Sequence, residues 1–267
     1  MSKAFFIDVQ GTLIDDINKK PINGAIEFID LLNKKNIPYV VITNNTKVKS
    51  DDFKTYLKSL GFHIKNYIDP FFILEKRVKV KKVAAFGSLE FLNEIVNLGY
   101  YLEYENPEAL IVSIKKEYTN EDYATMIEIA LKTNTIIGMH DTSIYSKDNR
   151  RYPGVGAIMS MIKFATNKNY EVIGKPSLGF FESAKNMIDV DFEDITIISD
   201  DMIGDLLGAQ KLNMKSCLVL SGKIRDENEI VNTLKDDEKP NFILKDINEV
   251  LELLNKGEIW VKLDYKS

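Results

Sequence analysis

Four apolar runs in this 267-residue chain each lead into residues that can handle a metal or a phosphoryl group. AFFIDV carries Asp8 and leads to Gly11 and Thr12, while IPYVVIT ends on Thr43 and continues as Asn44 and Asn45. EVIG leads to Lys175, and DITIIS leads to Asp200, Asp201 and, one helical turn on, Asp205. Carboxylates, a hydroxyl and a lysine on one sheet edge suit Mg²⁺ bound through oxygen, with a phosphoryl group bridging metal, lysine and backbone amides. Buried carboxylates repel one another without a cation, so the cluster itself implies the metal. Taken singly, the residues read more plainly. An Asp after a strand is a turn residue, Thr43 a helix cap and Lys175 a solvated lysine. Their joint occurrence after separate strands is the signal.

To converge, those runs must be neighbouring parallel strands. The chain alternates such runs with amphipathic segments. Ala25, Phe28, Ile29 and Leu32 share a helical face, and Ser50 is placed to cap a helix carrying Phe53, Tyr56, Leu57 and Leu60 up to Gly61. The middle repeats the style with strands KVAAF, ALIVSI and TIIGM. Ser88 would cap a helix presenting Leu89, Leu92 and Val96, and Thr119 with Asp122 reads as a capping box before Tyr123, Met126, Ile127 and Ala130. HDTSIYSKDNRRYPGVG is polar and turn-rich and reads as a loop. KSCLVLS and NFIL complete the strands. This is an α/β chain with a parallel sheet, whose ligands bind beyond the carboxyl ends of the strands.

Composition narrows the function further. The net charge of −5 argues against a nucleic-acid partner, which needs a basic face. A single cysteine excludes an internal disulfide, and with only two histidines it argues against zinc. No run is long enough to span a membrane, and the N-terminus does not read as a signal peptide. A cytoplasmic protein is expected, with Cys217 a buried thiol. His63 reads as structural, and His140 as a loop residue that is solvated or touches substrate. Arg150 and Arg151 lie in the polar loop, where they are solvated or meet an anionic substrate.

FFIDVQGTL, VVITNNT, VIGKPS and ITIISDDMIGDLLGAQ resemble the four ordered motifs of the haloacid-dehalogenase superfamily. Their spacing, RYPGVGAIMSMI before GKPS, and the tail PNFILKDINEVLELL are similar to its class IIA branch, which includes nitrophenylphosphatase-like and sugar-phosphatase-like members. The resemblance implies a Rossmann-like doubly wound parallel sheet core, residues 1–78 and 172–267, with a smaller α/β cap inserted at 79–171. It implies Asp8 as a nucleophile that becomes a phosphoaspartate, Thr43 at the phosphoryl oxygens and Lys175 as the balancing charge. Gly11, Thr12, Asn44 and Asn45 are expected at the phosphate and Asp141 at the substrate. Mg²⁺ would be held by Asp8, Asp200, Asp205 and the backbone carbonyl of Gln10.

Gln10 departs from the pattern. The superfamily's phosphatases usually carry Asp there, to protonate the leaving oxygen and later activate water. Gln exchanges no proton with a leaving group, and loss of general acid–base help costs about 10²–10⁴-fold. The cap departs too, with SIKKEY and GMHD where the branch has a Gly-x-Asp-like turn and an Asn–Asp pair. The expectation is a Mg²⁺-dependent hydrolase of a small phosphorylated metabolite, weakened or specialised by Gln10. The alternative is an impaired relative that binds a phosphorylated ligand or a protein partner. A phospho-receiver domain does not fit, because its acidic pair precedes the phosphorylated Asp. A homo-oligomer stays open.

Overall fold

Alternating apolar strands and amphipathic helices build two units, each around its own parallel sheet. The computed structural model describes residues 4–147 and 150–259. The first unit comprises Met1–Thr43, Phe53–Ile68 and Phe181–Ser267, and the second Asn44–Asp52 and Asp69–Phe180. Residues 44–52, 69–78 and 172–180, assigned to the core from sequence, therefore fall in the second unit.

In chain order the elements begin with β1 (Ala4–Asp8), α1 (Ala25–Lys35), β2 (Tyr39–Ile42), α2 (Ser50–Ser59), β3 (Tyr67–Ile68) and α3 (Pro70–Arg77). Then come β4 (Lys82–Phe86), α4 (Leu89–Asn97), β5 (Tyr101–Leu102), β6 (Ala109–Val112), α5 (Asn120–Lys132) and β7 (Thr135–Gly138). The hairpin β8 (Ile144–Lys147) and β9 (Arg150–Pro153) precedes α6 (Val155–Thr166), β10 (Glu171–Val172) and α7 (Leu178–Lys185). Last come β11 (Ile195–Ser199), α8 (Leu207–Gln210), β12 (Lys215–Val219), β13 (Phe242–Leu244) and α9 (Ile247–Lys256).

The first sheet runs β13-β12-β11-β1-β2-β3, every pair parallel. All five residues of β1 are buried, as expected for a central strand covered on both faces. Phe5 and Ile7 pack with Phe28 and Ile29 of α1 and Val250 of α9, whereas Phe6 stacks on Phe181 of α7 at 6.1 Å. The second sheet runs β10-β7-β6-β4-β5, again parallel. Its own core joins Leu110 and Val112 to Met126 and Ala130 of α5 and Ile158 and Ile162 of α6. No described helix is long and apolar enough to cross a membrane.

The Thr119–Asp122 capping box forms, and Cys217 is buried. Three local expectations change. The supposed loop after His140 contains an antiparallel hairpin, Lys147 opposite Arg150, because β-forming Ile144 and Tyr152 flank the turn-type residues of the sequence. Helix α4 buries Phe91 and Ile95, while Leu89 and Val96 face solvent. Phe91 stacks on Phe71 of α3, and that aromatic contact sets the rotation of the helix. Ser50 lies within α2 and donates its hydroxyl to Asp69 at 2.7 Å, rather than capping.

Candidate active site

Register explains why the first unit's polar stations meet. Asp8 pairs with Ile42, so Thr43 leaves β2 beside the end of β1. Ile7 pairs with Ile198 and Ser199 with Leu218, so Asp200 and Ser221 leave the same sheet edge. Strand β1 is also where the order of connections reverses, the place for a ligand in an open α/β sheet. A tight turn follows Asp8, closed by Leu13 and Ile14 N–H donating to Val9 O at 2.9 and 3.0 Å. Gly11 takes φ +72° there, and Ser221 Oγ donates to its carbonyl at 2.6 Å. A Cβ on either Gly11 or Gly222 would collide with the Asp200 carboxyl, so two glycines let backbone close on that side chain.

Asp8 and Asp200 are both buried. Burial, and then the charge of Asp8, push the Asp200 pKa up to about 8. The Lys223 N–H, donating to Asp200 Oδ2 at 2.6 Å, offsets this only in part. Asp201 accepts the Gly204 N–H at 2.8 Å and the Lys223 ammonium. Ser199 Oγ accepts from Asp201 N at 3.1 Å and donates to Asp205 Oδ2 at 2.6 Å. Asp205 sits in a wide-turn helix, Met202–Leu206, a form that recurs at functional sites.

Among the described residues no three His, Cys, Asp or Glu side chains form a metal cage. Asp205, expected as a further ligand, accepts the Ser199 hydroxyl on Oδ2. Two carboxylates and a backbone carbonyl still fit Mg²⁺, which keeps several waters and takes one or two carboxylates. The repulsion that raises Asp200 is the property a divalent cation would relieve. Thr12 Oγ1 adds an orphan: it is buried and has no hydrogen-bond partner among the described residues.

Gln10 is half-buried, and its Oε1 accepts the Thr43 hydroxyl at 3.0 Å. The side chain that replaces the usual acid is thus tied to the residue expected at the phosphoryl oxygens.

In the second unit Lys175 is buried, not solvated. Asn44 grips its peptide from both sides, accepting Lys175 N–H on Oδ1 at 2.8 Å and donating Nδ2 to Lys175 O at 3.2 Å. Asp141 N–H also meets that carbonyl, at 3.4 Å. Burial raises the Asp141 carboxyl, which lies against Gly156 in the first turn of α6. Asn45, expected at the phosphate, is committed to its loop: Oδ1 accepts from Lys47 and Val48 N–H, both at 3.2 Å, and Nδ2 serves Val48 O and Asp69. His140 is buried with Thr142 Oγ1 at 2.8 Å from Nδ1, so it is not a solvated loop residue. Arg150 and Arg151 are exposed on β9, and His63 is exposed beside Asp30. Sequence reasoning missed Ser199, Ser221, Gly222 and Lys223. The last three follow a strand as the other stations do, and that position was the available signal.

Two family models match: a haloacid dehalogenase-like hydrolase model over residues 5–101 and a HAD-hydrolase-like model over residues 172–250. The chain is 25% identical to an acid sugar phosphatase of Staphylococcus saprophyticus over 95% of its own length and 98% of that protein. It is 24% identical to the human phospholysine phosphohistidine inorganic pyrophosphate phosphatase over 95% of its length and 96% of the relative. In fold it is similar to a 4-nitrophenylphosphatase from Thermotoga maritima, with TM-score 0.76, 21% identity, and 94% and 97% of the two chains covered. The Asp8, Thr43 and Asp200 stations leave one parallel sheet edge, whereas Lys175 follows β10 of the second sheet and not, as expected, a strand of the first. With family models matching residues 5–101 and 172–250, the chain belongs to the haloacid dehalogenase-like hydrolases, in their class IIA branch.

Proposed function

We propose that this protein is a Mg²⁺-dependent phosphatase of small phosphorylated metabolites that works through phospho-Asp8. The observation that carries this reading is the buried Asp8–Asp200 pair at the carboxyl edge of the sheet, with Asp200 pushed up to about 8 first by burial and then by the charge of Asp8. Mg²⁺ held by Asp8, Asp200 and the residue-10 carbonyl would neutralise charge on the phosphoryl oxygens. Asp8 attacks phosphorus. Thr43 stands at the phosphoryl oxygens, and Lys175, its peptide gripped by Asn44, supplies fixed positive charge. Asp205 braces Ser199 and with it the turn that carries Asp200 and Asp201. Phosphoryl transfer is mostly positioning and charge neutralisation, and these groups supply both.

The relatives' names suggest two substrate types, sugar phosphates and species with P–N or P–O–P bonds. Gln10 favours the easier departures. A sugar alkoxide needs a proton that an amide does not give, whereas aryl phosphates, acyl phosphates and anhydrides leave unaided. We place the protein in the cytoplasm, in keeping with its lone, buried thiol.

Hydrolysis of p-nitrophenyl phosphate tests the assignment. Release of nitrophenolate should require Mg²⁺ and vanish in Asp8→Asn. Gln10 favours one rival, a non-catalytic binder of a phosphorylated ligand or partner protein. That rival takes over if Mg²⁺ and inorganic phosphate bind but wild type releases nothing.

A further inference from the structure

Asp69 is a fully buried acid that no step of the proposed reaction uses. Ile68 pairs with Ile42, so Asp69 leaves β3 as Thr43 leaves β2. Its place at the N-cap of α3 accounts for only part of it. A cap needs one acceptor oxygen, and Asn, Ser or Thr supply that without burying a charge. Asp69 uses both of its oxygens. Oδ1 accepts the Phe72 N–H at 3.0 Å and the Ser50 hydroxyl at 2.7 Å, and Oδ2 accepts from Asn45 Nδ2 at 3.5 Å.

Asn45 and Ser50 are the two ends of one loop. Asn45 folds it, accepting Lys47 and Val48 N–H on Oδ1 at 3.2 Å each and donating Nδ2 to Val48 O at 2.5 Å. Ser50 closes it as the first residue of α2. Immediately before Asn45 stands Asn44, whose side chain holds the Lys175 peptide by two hydrogen bonds. Asn44, Asn45, Ser50, Asp69 and Lys175 all belong to the second unit, so this relay lies within one packed body. A side chain points where its backbone sets it, and the backbone after Asn44 is held by contacts that converge on Asp69.

We infer that Asp69 is a positioning residue: it pins loop 45–50, and the pinned loop aims Asn44 at the Lys175 peptide. Its bearing on turnover rests on the phosphatase reading, in which Lys175 supplies the fixed positive charge. The grip itself does not depend on that reading.

Asp69→Asn tests this in the full-length protein. Either way round, the new amide sets an NH₂ against a donor, Asn45 Nδ2 on one side or the Phe72 N–H on the other. Hydrogen exchange of the Lys175 amide, read by NMR, should speed up about 2–10-fold, the range that one lost hydrogen bond transmits, while the amides of β6 keep their wild-type rates. With p-nitrophenyl phosphate and Mg²⁺, kcat should fall by a similar factor. Combining Asp69→Asn with Asn44→Ala should add nothing to the effect of Asn44→Ala alone, because the two act in series. Ser50→Ala keeps the carboxylate and removes one donor. It should move both readouts in the same direction, and it decides if Asp69→Asn does not fold. Unchanged Lys175 exchange, or unchanged kcat in an active enzyme, overturns the inference. So do faster exchange throughout the second unit and additive losses in the double variant, the marks of a general destabilisation. If wild type releases no nitrophenolate, the phosphatase reading falls, and the Lys175 amide still decides whether Asp69 sets the grip.

Discussion

Two carboxylates close enough for one to raise the pKa of the other make the site costly without a cation. Asp200 has its pKa raised to about 8, first by burial and then by Asp8. A raised carboxyl pKa means that the charged form opposes folding. Stability of the metal-free protein should therefore fall as pH climbs from about 4, the ordinary aspartate value, to about 8. Mg²⁺ must displace the Asp200 proton in that window, so its affinity should rise with pH up to about 8 and its binding should release protons. Calorimetry in buffers of different ionisation enthalpy would measure the release. Asp200→Asn should bind Mg²⁺ poorly yet raise the melting temperature of the metal-free protein at pH 8, by about 2–4 °C for each kcal/mol of repulsion removed. A chelator should lower the melting temperature of wild type and leave the variant unchanged. Equal melting of wild type and variant without metal would show that Asp200 bears no such cost.

Helices and turns carry the positioning, and they divide what was legible in the sequence from what was not. Asp8, Thr43 and Asp200 were readable because a strand end is marked by an apolar run, and parallel register then aligns the ends. The rotation of α4 was not readable. Two overlapping apolar stripes lie on it, and the stacking of Phe91 on Phe71, a partner distant in sequence, chooses between them. Asn44 and Asn45 look equivalent in sequence, yet one grips the Lys175 peptide and the other folds its own loop. The choice depends on a residue 131 positions away. The Asn44 grip predicts a measurable role. Asn44→Ala removes both bonds to that peptide, and lost hydrogen bonds of this kind cost about 0.5–1.5 kcal/mol each. Turnover of p-nitrophenyl phosphate should drop about 10-fold or more, with Mg²⁺ affinity unchanged because Asp8 and Asp200 lie in the other unit. A matching loss of Mg²⁺ affinity would refute the role given to Asn44.

At the scale of the chain, two sheets with separate cores make two folding problems. Phe28 packs under β1 with Phe5, Val250 and Leu254, whereas Leu110 packs with Met126, Ile136 and Ile162. No residue is shared between the two clusters. A cavity is felt mainly by the core that contains it, and chains built from more than one unit often unfold in more than one step. Leu110→Ala should cost about 2–5 kcal/mol and Phe28→Ala about 3–5 kcal/mol, each drawn from its own unit. Hydrogen exchange read by peptide would separate them. Leu110→Ala should speed exchange in β4, β6 and β7 while β1 and β11 stay protected, and Phe28→Ala should do the reverse. Mg²⁺ should slow exchange around Asp8 and Asp200 in wild type and in Leu110→Ala alike, because both carboxylates and the Gln10 carbonyl belong to the first unit. Uniform loss of protection across both sheets in either variant would mean that the chain unfolds as one block. The metal site would then depend on the second core as much as on its own.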